Sequence, residues 1–378
     1  MLRLPDFPWD SLAPFRERAS AVSGALPGGG VVDLSVGTPV DPTPTVVQDA
    51  LRAAADAPGY PQTWGTTELR ESVAGWFARR RGVPDVDPDA VLPTIGSKEL
   101  VAWLPSLLGL GAGDVVGFPR IAYPTYDVGA RLAGADPVVV DGLAALGPLT
   151  RATTPKLLWL NTPGNPTGKV LGVDHLAKVV AWARRHGVLV ASDECYAELD
   201  WREPSGAEGE PPTTPSILDP RVTGGSHEGL LAVYSLSKQS NLAGYRAAFV
   251  AGDPAVVRQL LEVRKHAGMM VPTPVQRAVT AALHDDVHVA EQKERYRARR
   301  TPLRAALEAS GFRVDDSEAG LYLWVTRGQD AWETLGWLAD RGILAAPGTF
   351  YGTAGAEHVR VALTAADERI AAAVQRLR

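Results

Sequence analysis

Apolar residues recur at intervals of three and four along 44–57 (PTVVQDALRAAADA), and the run stops at Pro58-Gly59. That period predicts an amphipathic helix with a sharp end. A second helix is predicted over 66–82, where Thr66 or Thr67 stands ahead of Glu68 and Glu71 as a capping sequence. From about residue 95 the pattern changes. Short apolar runs predict strands over 114–118, 136–140, 156–160, 188–192, 230–235 and 246–251, with helices over 97–109, 124–134 and 172–186. The runs lack strict in–out alternation, as strands buried on both faces do. Strands alternating with helices predict an α/β fold built on a mostly parallel sheet.

After residue 275 a charged amphipathic segment (284–310) leads into predicted strands at 320–326, 343–346 and 358–363. This reads as a second, smaller α/β domain. The start holds Pro5, Pro8, Pro14, Pro27 and Gly28-Gly29-Gly30 and reads as an irregular arm. The expected division is an arm over 1–40 packed on the small domain, a large domain over 41–275 and a small C-terminal domain over 276–378. The stretch 202–228, rich in Pro, Gly and Ser, is expected to be a long loop with a mobile middle.

Composition narrows the class. The 378 residues are 45% apolar and 21% charged, which is globular, and a chain this long buries a core without staples. One cysteine, Cys195, excludes an intrachain disulfide framework. The net charge is −5, and the only basic run, Arg79-Arg80-Arg81, fits a solvated helix C-terminus, so no nucleic-acid partner is expected. The start has no secretory pattern, and the uncharged stretch Leu100 to Gly113 is too short to cross a membrane. A cytoplasmic enzyme is expected.

The chemistry concentrates at predicted strand ends. Ser235-Leu236-Ser237-Lys238 is followed by Gly244-Tyr245-Arg246. A lysine at the end of a buried strand can lose its proton and form a Schiff base with an aldehyde. Two hydroxyls and a guanidinium can hold a phosphate. An aldehyde and a phosphate on one ligand point to pyridoxal phosphate, against the plainer reading of a surface loop. Asp193, in Ala191-Ser192-Asp193-Glu194-Cys195-Tyr196, follows another strand and could keep a pyridine nitrogen protonated, with Tyr196 donating to the ring oxygen. On its own Asp193 reads better as a helix cap, and the lysine 45 residues downstream in the same pattern tips the reading. Asn161-Thr162-Pro163-Gly164-Asn165-Pro166-Thr167-Gly168 is a rigid turn that can aim the Asn165 amide at a ligand. Gly96-Ser97-Lys98 opens a helix, whose N-terminal amides suit a phosphate.

With these motifs in place, the chain resembles the fold-type I pyridoxal-phosphate aminotransferases (class I/II) of the aspartate aminotransferase superfamily, from Gly37 to Arg360. The resemblance implies a large domain with a mostly parallel seven-stranded sheet flanked by helices and a smaller α/β C-terminal domain. It implies that Lys238 carries the cofactor, Asp193 pairs with the pyridine nitrogen, and Tyr196 and Asn165 meet the ring oxygen. Ser235, Ser237, Arg246 and the amides of Gly96-Ser97-Lys98 would hold the phosphate. Tyr123 would stack on the ring, and Tyr60 would reach the phosphate of the other subunit of a homodimer. Arg360 would clamp the substrate α-carboxylate beside Gly37 and Asn165. No metal is implied.

The segments Leu4–Asp10, Leu34–Pro44, Pro93–Leu100 and Arg264–Pro272 are similar to actinobacterial N-succinyldiaminopimelate aminotransferases, which exchange amino groups between glutamate/2-oxoglutarate and a succinylated keto-acid. Aspartate, an aromatic amino acid or free LL-diaminopimelate are the alternative substrates. Arg264 or Lys265 is the candidate cation for a far carboxylate. Gly109-Leu110-Gly111-Ala112-Gly113 stands between a helix and a strand, the wrong order for a dinucleotide fingerprint. His284 and His288 read as a solvated helix end, and Cys195 as a buried wall residue.

Overall fold

The computed structural model describes residues 4–142, 150, 153–203 and 214–378. A two-residue strand in the arm, Val32–Asp33 (β1), comes first. Seven strands follow: Val91–Ile95 (β2), Val115–Phe118 (β3), Asp136–Val139 (β4), Leu157–Asn161 (β5), Leu189–Asp193 (β6), Leu230–Ser235 (β7) and Ala247–Gly252 (β8). The C-terminal part adds Arg313–Asp315 (β9), Tyr322–Thr326 (β10), Ile343–Leu344 (β11), Ala346–Pro347 (β12) and His358–Ala362 (β13).

The large sheet has the order β2-β8-β7-β6-β5-β3-β4. Its strands β7, β6, β5, β3 and β4 pair in parallel, and β8 is antiparallel to both neighbours. A parallel return needs a crossover of about a dozen residues or more. The link from β7 to β8 is short and carries the lysine, so β8 runs back. β2 is absent from the predicted strands because Pro93 stands at its centre. As an edge strand it tolerates a residue without an N–H. Apolar clusters lie on both faces. One joins Trp76, Phe77, Leu176 and Val279 to the sheet, and the other joins Leu104, Tyr126 and Leu260 to it.

The second core gathers on the sheet β12-β13-β10-β9, which is antiparallel throughout. The predicted single strand 343–346 divides here, β11 pairing with β1 and β12 with β13. The arm lies against this unit. Its helix Ala13–Ser23 packs on the helix Ala331–Ala339, with Arg18 bonded to Asp340 at 2.6 Å. The expected border at 275/276 falls inside the helix Thr273–His284, whose Val275, Ala278, Val279 and Leu283 belong to the large sheet's cluster. Packing moves the border to Asp285, the N-cap of the long helix Asp286–Ala309.

The expected loop 202–228 is partly ordered by the core. Ser216 Oγ and Ile217 N donate to Glu194 at 3.2 and 2.7 Å, and Pro220–Thr223 is a helical turn. The middle expected to be mobile lies mostly at 204–213, outside the described residues. No described helix is long and apolar enough to cross a membrane.

Candidate active site

Parallel pairing brings strand ends to one edge. Asn161 on β5 stands opposite Asp193 on β6, and β7 ends beside them at Ser235. Open α/β sheets bind ligands at this edge. Ser235 Oγ caps the turn Leu236–Gln239 by accepting from Ser237 N at 3.2 Å, and it donates to Ser237 Oγ at 2.9 Å. That turn delivers Lys238 inward. Arg246 adopts φ +55°. Its guanidinium lies against Gly96, where a Cβ would stand 2.2 Å from Nη2, and Gly96 itself has φ +75°. Only glycine lets the arginine reach the N-terminus of the helix Ser97–Leu107.

Asp193 is buried and makes no ion pair among the described residues. It accepts from Tyr126 Oη at 2.9 Å and from Cys195 N at 3.3 Å. Burial raises its pKa against these bonds and the charge of Lys238. The Lys238 amine is pulled down by burial and by Arg360 and Arg246, against Tyr322 and Cys195, which raise it. Its Nζ donates to Gly37 O at 2.5 Å. The C-terminal domain supplies Arg360 from β13. Nη1 donates to Asn165 Oδ1 at 3.0 Å and Nη2 to Ser35 O at 2.7 Å, while the buried Nε has no partner. Burial pushes the Tyr123 phenol up to about 12.

One cavity of about 830 Å³ joins these groups. Gly37, Ser97, Lys98, Tyr123, Asn165 and Tyr196 line it with Asp193, Ser235, Ser237, Lys238, Arg246 and Arg360. Gly96 lies behind Arg246. Tyr60 is apart from them, 96% exposed. Tyr126 and Tyr322 carry no role in the sequence reading. Tyr126 had a signal, standing three residues after Tyr123 in the first turn of the helix Thr125–Ala133. Tyr322 had none, because it arrives from the other domain.

The chain matches the family described as aminotransferase class I and II over residues 29–377. It is 60% identical to a probable aminotransferase of Mycobacterium tuberculosis over 374 residues, 99% of this chain and 85% of that protein. It is 56% identical to the 4-dedimethylamino-4-oxo-anhydrotetracycline transaminase OxyQ of Streptomyces rimosus, over 100% of both chains. The structure of a probable N-succinyldiaminopimelate aminotransferase from Thermus thermophilus superposes with a TM-score of 0.84 at 29% identity, over 98% of this chain and 99% of that one. The protein is a class I/II aminotransferase.

Aminotransferases of this class depend on pyridoxal phosphate, and the cavity of this one fits that group. A buried carboxylate without a cation suits a pyridinium, and a buried amine of depressed pKa suits an aldehyde. Arg246 makes no ion pair among the described residues, its one hydrogen bond going to Ala243 O at 2.8 Å, so it is free for a phosphate.

Three expectations change around the aminotransferase cleft. Arg79-Arg80-Arg81 is only partly a solvated turn: exposed Arg79 pairs with Asp286 at 2.8 Å, half-buried Arg80 with Glu198 at 2.5 Å and buried Arg81 with Glu194 at 3.1 Å. Of the two histidines, His284 is exposed at its helix end as expected, and His288 is not. His284 Nε2 lies 3.1 Å from Ser72 Oγ, and the buried His288 lies 2.8 Å from Ser240 Oγ and 3.2 Å from Asp285 Oδ2. The long helix passes against the lysine turn, which covers His288 and leaves Val287 exposed. Arg264 is fully buried on Glu99 at 2.8 Å, and Lys265 pairs with Glu262 on the surface, so neither lines the cavity. Cys195 does line it. Burial and the Asp193 charge push its thiol up and keep it protonated.

Proposed function

We propose that this aminotransferase is a cytoplasmic homodimer that exchanges amino groups between glutamate/2-oxoglutarate and N-succinyl-LL-2,6-diaminopimelate or its keto-acid. Pyridoxal phosphate supplies an aldehyde that takes up the amino group and a ring that accepts the electron pair left at the substrate α-carbon. Lys238 Nζ, neutral more readily than an exposed lysine, takes the α-proton and returns it. Asp193 holds the proton on the pyridine nitrogen. Tyr196 and Asn165 face the ring oxygen, and Tyr123 covers the ring. Ser235, Ser237, Arg246 and the amides of Gly96, Ser97 and Lys98 hold the phosphate. Arg360 binds the α-carboxylate beside Gly37, where a forked guanidinium fixes geometry that lysine cannot. The exposure of Tyr60 suits a side chain that reaches into a partner's cleft.

The single observation that carries the substrate is the reach of the cavity. Its lining also takes in Leu4, Phe7, Trp9 and Val36 of the arm, together with Lys98, Arg16 and Asp6. Lys98 makes no ion pair among the described residues, its Nζ standing 6.0 Å from the Phe7 ring, and Arg16 pairs with Asp33 at 2.9 Å. An apolar passage with cations beside it suits a long acid ending in a carboxylate. The likeness to the Thermus structure supports the same reading. The 56% identity to OxyQ favours a second one, a polycyclic ketone against the arm's aromatic rings. A coupled assay of the purified protein with glutamate and a keto-acid panel decides. Turnover should be fastest with the succinylated acid, and Lys98→Ala should raise its KM more than that of a short keto-acid. Turnover of the polycyclic ketone with none of the succinylated acid would transfer the assignment.

A further inference from the structure

Tyr322 opens β10 and is buried. Its segment is fastened to the large domain, with Gly320 N donating to Leu199 O at 2.8 Å and Trp201 Nε1 to Gly320 O at 2.7 Å. Three contacts then fix its phenol. Arg360 Cζ lies 3.9 Å above its ring. Its Oη rests on Gly37, where a Cβ would stand 2.0 Å away, so only glycine is accommodated there. Its Oη is also 3.1 Å from Tyr196 Oη, the one hydrogen-bond partner of the Tyr196 hydroxyl among the described residues.

Two phenols at this distance share one proton in line, and the more acidic of them donates. Burial works against ionisation of Tyr322, but Arg360, Lys238 and the bond to Tyr196 outweigh it and leave its pKa below the usual tyrosine value. Burial and the neighbouring Tyr322 hold Tyr196 well above that value. Geometry allows either oxygen to donate, and the Arg360 guanidinium 3.9 Å over the Tyr322 ring favours Tyr322 as the donor, which leaves the Tyr196 proton for another acceptor. We propose that Tyr322 is a positioning residue whose hydroxyl donates to Tyr196 and turns the Tyr196 proton toward the ring oxygen of the cofactor. This rests on the placement of Tyr196 proposed above and is independent of the choice of substrate.

A donor at the ring oxygen stabilises negative charge there and eases loss of the neighbouring proton on the lysine–cofactor link. The readout is the pH midpoint of the holoenzyme's visible absorbance. Tyr196→Phe should raise it. Tyr322→Phe should raise it by less, roughly 0.5 unit, and should add nothing in the Tyr196→Phe background. Gly37→Ala, which drives the phenol off its seat, should raise it as Tyr322→Phe does, and it serves if the phenylalanine variant does not load cofactor. An unmoved midpoint in Tyr322→Phe beside a shifted one in Tyr196→Phe overturns the relay, as does an additive double variant. An unmoved midpoint in Tyr196→Phe itself removes the assignment of Tyr196 and the relay with it.

Discussion

Lys238, Arg246 and Arg360 face the cavity with no carboxylate in salt-bridge contact among the described residues. Arg79, Arg80 and Arg81, at the end of one helix, hold a carboxylate each. The two regions nearly touch in sequence, because Glu194 follows Asp193. Successive residues of an extended chain point to opposite faces. Glu194 therefore turns into the core, where Arg81, Ser216 Oγ and Ile217 N complete it. Asp193 turns into the cleft and has hydrogen bonds but no ion pair among the described residues. The first region is electrically closed without a ligand. The second is closed only when a ligand brings a pyridinium, a phosphate and a carboxylate. A buried charge that has a partner serves the fold, and one left without a partner is available for binding.

The comparison is broken most strongly on the closed side. Arg81→Met leaves Glu194 alone in the core and should lower unfolding free energy by about 3–5 kcal/mol. Chemical denaturation measures it, and adding Glu194→Gln should recover much of the loss because no charge then remains. A stable single variant with impaired catalysis would mean that the pair serves the site instead. On the open side, Arg360→Lys should keep the cofactor bound and the melting temperature nearly unchanged while kcat/KM falls about 30- to 1,000-fold, or about 2–4 kcal/mol. Loss of cofactor absorbance in that variant would place Arg360 at the phosphate.

An exposed pair gives the smallest effect and calibrates the other two. Arg313, and then His358, hold the Asp315 carboxyl at about 2 against the pull of burial. A folded-state pKa below the ordinary carboxylate value gives stability that is full above about pH 4 and is lost as pH falls toward 2. Asp315→Asn should lower the melting temperature by about a degree or two at neutral pH. That difference should close between about pH 4 and 2 in a pH series of melting curves. A difference that persists to pH 2 would mean that packing, not charge, is involved.

The parts of the site legible in the sequence are those that lie near one another along the chain. Lys238 and Arg246 sit in one short return between adjacent strands, and Asp193 and Asn165 follow their own strands. Local pattern placed these at strand ends. Tyr126 stands three residues after Tyr123 in the same segment and was within reach of the same reasoning. β2 was missed because a proline in a five-residue run reads as a break unless the strand is known to be an edge. Arg264 was misjudged as a ligand because periodicity places a charge on a helix face without showing the glutamate 165 positions earlier that meets it.

The order and type of the elements followed from the spacing of apolar residues, and the cofactor from which side chains end which strands. These are properties of neighbours in the chain, fixed by backbone geometry over a few residues. The partners of the charged groups were decided by the fold alone. Arg81 meets Glu194 across 113 positions and Arg360 meets Asn165 across 195. Tyr322 meets Tyr196 across 126. Whether a buried charge is satisfied or left open depends on which groups the packed domains bring within about 3 Å, and no local pattern encodes that distance.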